Sequence, residues 1–103
     1  MRNKANEESL RSSIAKALFG EVFPDIRAIA YAYDAKKKLI TMRWYLSRPP
    51  VEEDYEDLGS VMNEVMADFS YKEFDDVKEE CIYTTAPASE LDPLDGLVYL
   101  RKE

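Results

Sequence analysis

Carboxylates are the side chains of this sequence whose spacing suggests chemistry. Glu52 and Glu56, and likewise Glu53 and Asp57, are four residues apart in a stretch of helical pattern. This spacing places each pair on one face of a helix, where two carboxylates could hold a Mg²⁺ ion. Such pairs are also routine on solvated helix faces, and we therefore expect no metal site.

Other catalytic groups are missing from the sequence. It contains no histidine, which excludes Ser-His-Asp and Cys-His arrangements and histidine-based zinc sites. Its three glycines form no phosphate-binding loop. The single cysteine, Cys81, lies in an apolar strand pattern, which favours a buried hydrophobic role over a nucleophilic one. These observations predict a protein that is not an enzyme and takes no cofactor.

Charge is distributed unevenly along the sequence. Residues 1–50 hold ten Lys or Arg and five acids, whereas residues 51–95 hold two Lys and fifteen acids, a net charge of −13. A segment this acidic opposes direct binding to nucleic acid and to anionic membranes. It favours a basic protein as the partner.

The longest helical signal spans residues 49–69, and Pro49 and Pro50 mark its start. Its apolar residues recur at steps of three and four, as on a helix face that packs against a core. They are Val51, Tyr55, Leu58, Val61, Met62, Val65, Met66 and Phe69. Acids crowd the first two turns, where carboxylates interact favourably with the helix dipole. That stabilising role and a role in binding a basic partner are both open at this point.

The patterns before this helix predict a helix and a hairpin. The first helix begins at Ser9 or Ser12 and stops at Gly20. Alternating residues then predict two antiparallel strands, 26–33 and 39–47. Alanines on one face of the first strand would let a helix lie close to the sheet.

The second half adds a long strand over residues 72–85, with a bulge or a loop in its first half, and a short strand over 97–101. The predicted fold is α/β (α+β), a two-layer sandwich of order α-β-β-α-β-β. Its sheet is mostly antiparallel and both helices lie on one face. A length of 103 residues fits one domain, 1–103, and we expect residues 1–8 to be frayed.

The location follows from what the sequence lacks. No apolar run approaches eighteen residues, and residues 1–13 are too polar for a signal peptide. One cysteine cannot form an intramolecular disulfide. We therefore expect a cytoplasmic protein.

Aromatic residues suggest an alternative function. Trp44 lies on the apolar face of its strand, which predicts core packing. Tyr31, Tyr33 and Tyr45 could instead form an exposed sheet face, because tyrosine combines a large area with a polar tip and is favoured in interfaces. On this alternative, the protein is a non-catalytic self-associating or adaptor domain.

Four segments resemble a known family. They are residues 43–50 (RWYLSRPP), 52–54 (EED), 64–69 (EVMADF) and 97–103 (LVYLRKE). They look like parts of small bacterial immunity proteins of contact-dependent growth inhibition and related polymorphic-toxin systems. The resemblance covers roughly residues 14–103, and its motifs are structural rather than chemical. It implies an intracellular protein that binds and neutralises the C-terminal toxin domain encoded beside it, commonly a nuclease.

Charge, missing catalytic groups and resemblance together predict an immunity protein. It would neutralise a cognate toxin domain, a basic RNase, by covering its active site or its substrate-binding surface. The predicted partner-binding acids are Glu52, Glu53, Glu56, Asp57, Asp75, Asp76, Glu79, Glu80, Asp92 and Asp95, with Tyr55 and Tyr71 as aromatic contacts at their margin.

Overall fold

The computed structural model of the protein describes residues 4–103. They form an α+β fold of two helices and a four-stranded sheet. The elements are α1 (Glu7–Leu18), β1 (Ile26–Asp34), β2 (Leu39–Leu46), α2 (Glu52–Ala67), β3 (Asp76–Tyr83), a 3₁₀-helix (Ala88–Glu90) and β4 (Gly96–Leu100).

The sheet is mixed, with the strand order β3-β2-β1-β4. Strand β1 pairs antiparallel with β2 and with β4, but β2 and β3 are parallel. Helix α2 returns the chain to the end of the sheet where β2 began, so β3 runs in the same direction as β2. The predicted order is therefore only partly correct, because the sheet is mixed and a 3₁₀-helix precedes the last strand.

The main core lies between the two helices and one face of the sheet. Trp44 is completely buried at its centre, as the alternation in β2 predicted. Helix α1 contributes Leu10 and Ile14, and helix α2 contributes Leu58 and Val65. Both helices thus pack against the same face of the sheet.

A second, smaller core covers the opposite face. It contains Ala28, Ala30, Tyr45 and Leu91. The chain between β3 and β4 crosses this face, and the alanines make room for that connection. The prediction that a helix lies close to these alanines is therefore wrong. The Tyr45 hydroxyl donates a hydrogen bond of 2.7 Å to the carbonyl of Asp92 in the same connection.

The predicted exposed aromatic face is wrong for the same reason. Tyr45 is only 5% exposed beneath the connection, and Tyr31 is only 1% exposed in the main core. Tyr33 is half-buried, and its hydroxyl donates to the carbonyl of Glu73 at 2.7 Å. No face formed by these tyrosines is open to a partner.

Helix α1 begins earlier than predicted, and helix α2 begins where the prolines indicate. Asn6 caps α1, and its side chain accepts a hydrogen bond from the N–H of Ser9, so Ser9 lies inside the helix. Of the segment that we expected to be frayed, residues 1–3 lie outside the described chain, and the N–H of Ala5 donates to the carboxylate of Glu73 at 2.7 Å. Helix α2 begins at Glu52, directly after Val51 and the two prolines that mark its start.

Strand β3 begins after residue 72 and has no bulge, so of the two predicted alternatives the loop is the correct one. Residues 76–83 pair with β2 in continuous register, and residues 72–75 precede the strand. The unclear alternation in the sequence arises from Glu79, which shares the helix-facing side with Val77 and Cys81. Gly59 of α2 leaves space there, since a Cβ atom built on it would lie 3.7 Å from Oε2 of Glu79.

Candidate partner-binding surface

The first two turns of α2 carry four acids on the outside of the domain. Glu52, Glu53 and Glu56 are exposed and Asp57 is half-buried. Helix α2 contains no Lys or Arg over its sixteen residues, so no cation within the helix offsets these charges. We call these four residues the acidic helix surface.

The fifth acid of this cluster, Asp54, points inwards and orients the helix. Its side chain is 2% exposed, and its carboxylate accepts hydrogen bonds from Nη1 and Nη2 of Arg48 at 2.8 and 2.9 Å. It also accepts the N–H of Val51 at 2.8 Å, which satisfies a free donor at the helix start. The Arg48 guanidinium holds the pKa of Asp54 below its usual range.

Three of the predicted acids lie at the start of β3 or on its helix-facing side. Asp75 and Asp76 are exposed where the strand begins, and their N–H groups both donate to the carbonyl of Lys38. Glu79 lies in the middle of the strand, on the side that faces α2 at Gly59. The edge of the sheet beside α2 therefore carries these acids from its start to its middle, with Lys78 as the one cation of the strand.

The other three predicted acids take part in internal contacts on the opposite face of the sheet or beside it. Glu80 pairs with Arg43 at 3.0 Å, and Asp92 lies 4.0 Å from the same guanidinium. Asp95 accepts the N–H of Tyr33 at 2.7 Å and so fixes the connection to β1. The structure does not bring these three acids together with the acidic helix surface.

Aromatic side chains adjoin the acidic helix surface. Tyr55 of α2 is 43% exposed, and its hydroxyl lies 3.4 Å from the carbonyl oxygen of Cys81 in β3. Tyr83 follows two residues later on the same side of β3 and is 46% exposed. We call Tyr55 and Tyr83 the aromatic edge.

Sequence reasoning missed Tyr83. The signal that could have found it is the shared parity of Tyr83 with Cys81 in β3. Tyr71 was predicted and is 85% exposed, but it lies beyond the other end of α2, beside an open cleft of about 720 Å³. The structure therefore separates Tyr71 from Tyr55.

Comparison with protein families decides the identity. A family model described as MafI2 immunity protein matches residues 7–103, which include every helix and strand of the fold. The chain belongs to the MafI2 immunity protein family. The resemblance to small bacterial immunity proteins of polymorphic-toxin systems is thereby confirmed. A comparison with curated proteins gives no match.

Membership of the MafI2 family implies that the protein neutralises a toxin and that a cognate toxin is its partner. Two further observations concern metal binding and membrane insertion. Among residues 4–103, no group of three or more His, Cys, Asp or Glu is placed to hold a metal ion. Over the same residues, no helix has the length and hydropathy needed to cross a membrane.

Cys81 is a buried packing residue of this MafI2 family member. Its side chain belongs to the main core. Burial raises the pKa of the thiol to about 12, so the thiol is protonated at neutral pH. Since the thiolate is the nucleophilic form of cysteine, Cys81 is unsuited to covalent catalysis.

Proposed function

We propose that this protein is a non-catalytic inhibitor that acts in the cytoplasm and binds its cognate toxin through the acidic helix surface and the aromatic edge. The observation that carries the proposal is a helix whose outer face has exposed acids, no cation and adjoining half-exposed tyrosines. Charge of one sign speeds the encounter with an oppositely charged partner, and aromatic side chains supply buried contact area once it is bound.

The assignment is supported by three arginines of the first half of the chain, Arg27, Arg43 and Arg48, because each pairs with an acid inside the fold. Arg27 is 6% exposed and donates two hydrogen bonds of 2.8 Å to the carboxylate of Glu103. Arg43 pairs with Glu80, and Arg48 pairs with Asp54. These cations neutralise acids elsewhere, and within residues 4–103 no Lys or Arg forms an ion pair with the acidic helix surface.

The target that best fits such a patch is a basic nuclease, specifically an RNase. A nuclease cleft is cationic because its substrate is a polyanion, and an anionic protein surface can occupy the same cleft. On this proposal the protein covers the active site of the toxin or its substrate-binding surface. It makes no direct contact with nucleic acid.

The test is a titration with the toxin C-terminal domain encoded immediately upstream, at low and at moderate salt, together with an assay of RNA cleavage. Tight binding that abolishes cleavage is the expected result. The association rate should also fall steeply with salt, as steered encounters do. Absence of binding at both salt concentrations would overturn the proposed function.

Charge reversal locates the surface. Replacing Glu53 and Asp57 together by Lys should slow association by about tenfold at low salt and reduce its salt dependence. The matched control replaces Glu7 and Glu8 by Lys, which reverses two exposed acids in the first turn of α1. Equal effects of the two double variants would show a general charge effect, and unchanged kinetics in the α2 variant would place the interface elsewhere.

A further inference from the structure

Strand β3 forms one edge of the sheet, and half of its backbone groups point away from the domain. The N–H groups of Asp76 and Thr84 donate to Lys38 and Leu46, so both point towards β2. Backbone groups alternate in direction along a strand, which turns those of Val77, Glu79, Cys81 and Tyr83 outwards.

Most of these outward groups have no hydrogen-bond partner among residues 4–103. The carbonyl of Cys81 accepts the weak 3.4 Å contact from Tyr55, and the N–H of Val77 donates to its neighbour Asp76 at 2.9 Å. For the N–H groups of Glu79, Cys81 and Tyr83, no acceptor is present among residues 4–103. A row of unpaired strand donors is a template for another strand.

The opposite edge of the sheet is protected. Strand β4 has only five residues, and its register with β1 shifts between Ile29 and Ala30. Nη2 of Arg11 donates to the carbonyl of Leu97 at 3.0 Å and so covers part of that edge. Short strands, bulges and covering side chains are the usual means of blocking edge pairing, and β3 has an eight-residue run without a register shift.

We propose that the toxin extends this sheet by adding a basic, extended segment along β3, so that main-chain hydrogen bonds hold it beside the aromatic edge. This inference rests on the proposed function and specifies its mode of binding. Asp76 and Glu79 flank the open edge on its two faces, and the one cation of the strand, Lys78, lies 3.9 Å from Glu80. The edge is therefore acidic on balance, and cationic side chains on the added strand fit there. In a second copy of the chain, the same edge carries three acids and only one lysine, so two strands of net negative charge would meet, which disfavours self-pairing.

Amide hydrogen exchange tests the proposal without any substitution. The amides of Glu79, Cys81 and Tyr83 should exchange rapidly in the free protein and at least about tenfold more slowly in the complex with the upstream toxin domain. Leu100 is the internal control. The N–H of Arg101 donates to Arg27 in β1, so the N–H of Leu100 points outwards on the opposite edge and its exchange should not change.

Paired variants give a second readout. Glu79→Pro removes an outward N–H together with the charge, whereas Glu79→Gln removes the charge and keeps the N–H. The proline variant should weaken toxin binding more than the glutamine variant, and Leu100→Pro should leave binding unchanged.

The outcomes separate the two hypotheses. Toxin binding without protection of the three β3 amides would overturn strand addition and leave the proposed function intact. No toxin binding would overturn the proposed function, and the inference with it. Protection that grows with protein concentration in the absence of toxin would assign the edge to a second copy and also overturn the inference.

Discussion

Arg48 and Asp54 are joined by two hydrogen bonds, from Nη1 to Oδ2 at 2.8 Å and from Nη2 to Oδ1 at 2.9 Å. The arginine also donates to Asp25, which precedes β1, at 2.9 Å. A buried carboxylate thus links the start of α2 to the segment before β1 and the segment after β2. Because Asp54 lies between Glu53 and Glu56, this link sets the direction in which the acidic helix surface faces.

Asp54→Asn should reduce the free energy of unfolding by about 2–3 kcal/mol, since it removes the charge that pairs with Arg48 and weakens the acceptor of the Val51 N–H. This loss is smaller than the roughly 3–5 kcal/mol of a fully buried pair because the Arg48 side chain is 35% exposed. Urea unfolding measures the change. Glu53→Gln, on the neighbouring exposed acid, is the control and should change stability by less than about 0.5 kcal/mol.

Acid should destabilise the protein through the same carboxylate and through Glu103. The Arg48 hydrogen bonds lower the pKa of Asp54, and those of Arg27 lower the pKa of Glu103 to about 2. A lowered pKa in the folded state contributes stability above the ordinary pKa and loses it as pH falls towards the folded value. The free energy of unfolding should therefore fall between about pH 4.5 and pH 2.

A comparison of Asp54→Asn with the wild-type protein shows how much of this pH dependence arises from Asp54. Asp54→Asn should show a shallower fall over the acid range than the wild-type protein, because one of the two groups no longer titrates. Identical slopes for both proteins would show that Asp54 has the same pKa in the folded and unfolded states. That result would contradict the lowered pKa.

The local elements could be predicted because their residues repeat at the period of the structure that they form. The buried stripe of α2, with Leu58 and Val65, and the alternation around Trp44 in β2 both follow from spacing along the chain. The parallel pairing of β3 could not be predicted, since it depends on where α2 returns the chain. Which segment packs on Ala28 and Ala30 could not be predicted either. It is the connection between β3 and β4, whose residues show no helical or strand periodicity.

The candidate site, like the fold, could be predicted from the sequence only in part. Acid density in the sequence indicated the acidic helix surface, but it could not show which acids are already paired. Glu80 and Asp54 find their cations through the tertiary fold, because Arg43 and Arg48 come from β2 and the segment after it. Sequence therefore located the exposed acids of α2, whereas the pairing of Glu80 with Arg43 could be seen only in the fold.

Gly59→Ala should stabilise the protein by about 0.5–1 kcal/mol, since glycine inside a helix is less favourable than alanine. The new Cβ atom would lie 3.7 and 3.9 Å from the carboxylate oxygens of Glu79, which is ordinary contact. Gly20→Ala provides the contrast, because Gly20 has φ of +81° and a side chain there is strained. Thermal unfolding should shift upwards for the first variant and downwards for the second.

Cys81 should resist thiol reagents in the folded protein. Burial and a pKa of about 12 leave almost no thiolate at pH 8. Labelling by a disulfide reagent should be at least about 100-fold slower than in urea, where the thiol regains its ordinary pKa. Equal rates in both conditions would mean that β3 opens readily, and they would contradict the packing of Cys81 in the main core.

Tyr83→Ala should weaken toxin binding by about 1–2 kcal/mol, mainly through faster dissociation, because a half-exposed aromatic residue beside an open strand edge is suited to anchor a partner. Stability should change little, as Tyr83 is 46% exposed.

Tyr71→Ala is the control at the other end of α2, where the Tyr71 side chain is 85% exposed. If Tyr71→Ala weakens binding and Tyr83→Ala does not, the toxin contacts the cleft beyond the end of α2 and the aromatic edge is not the anchor. Stopped-flow association and dissociation rates at two salt concentrations distinguish these outcomes, because the loss of an anchor changes dissociation whereas the loss of charge changes association.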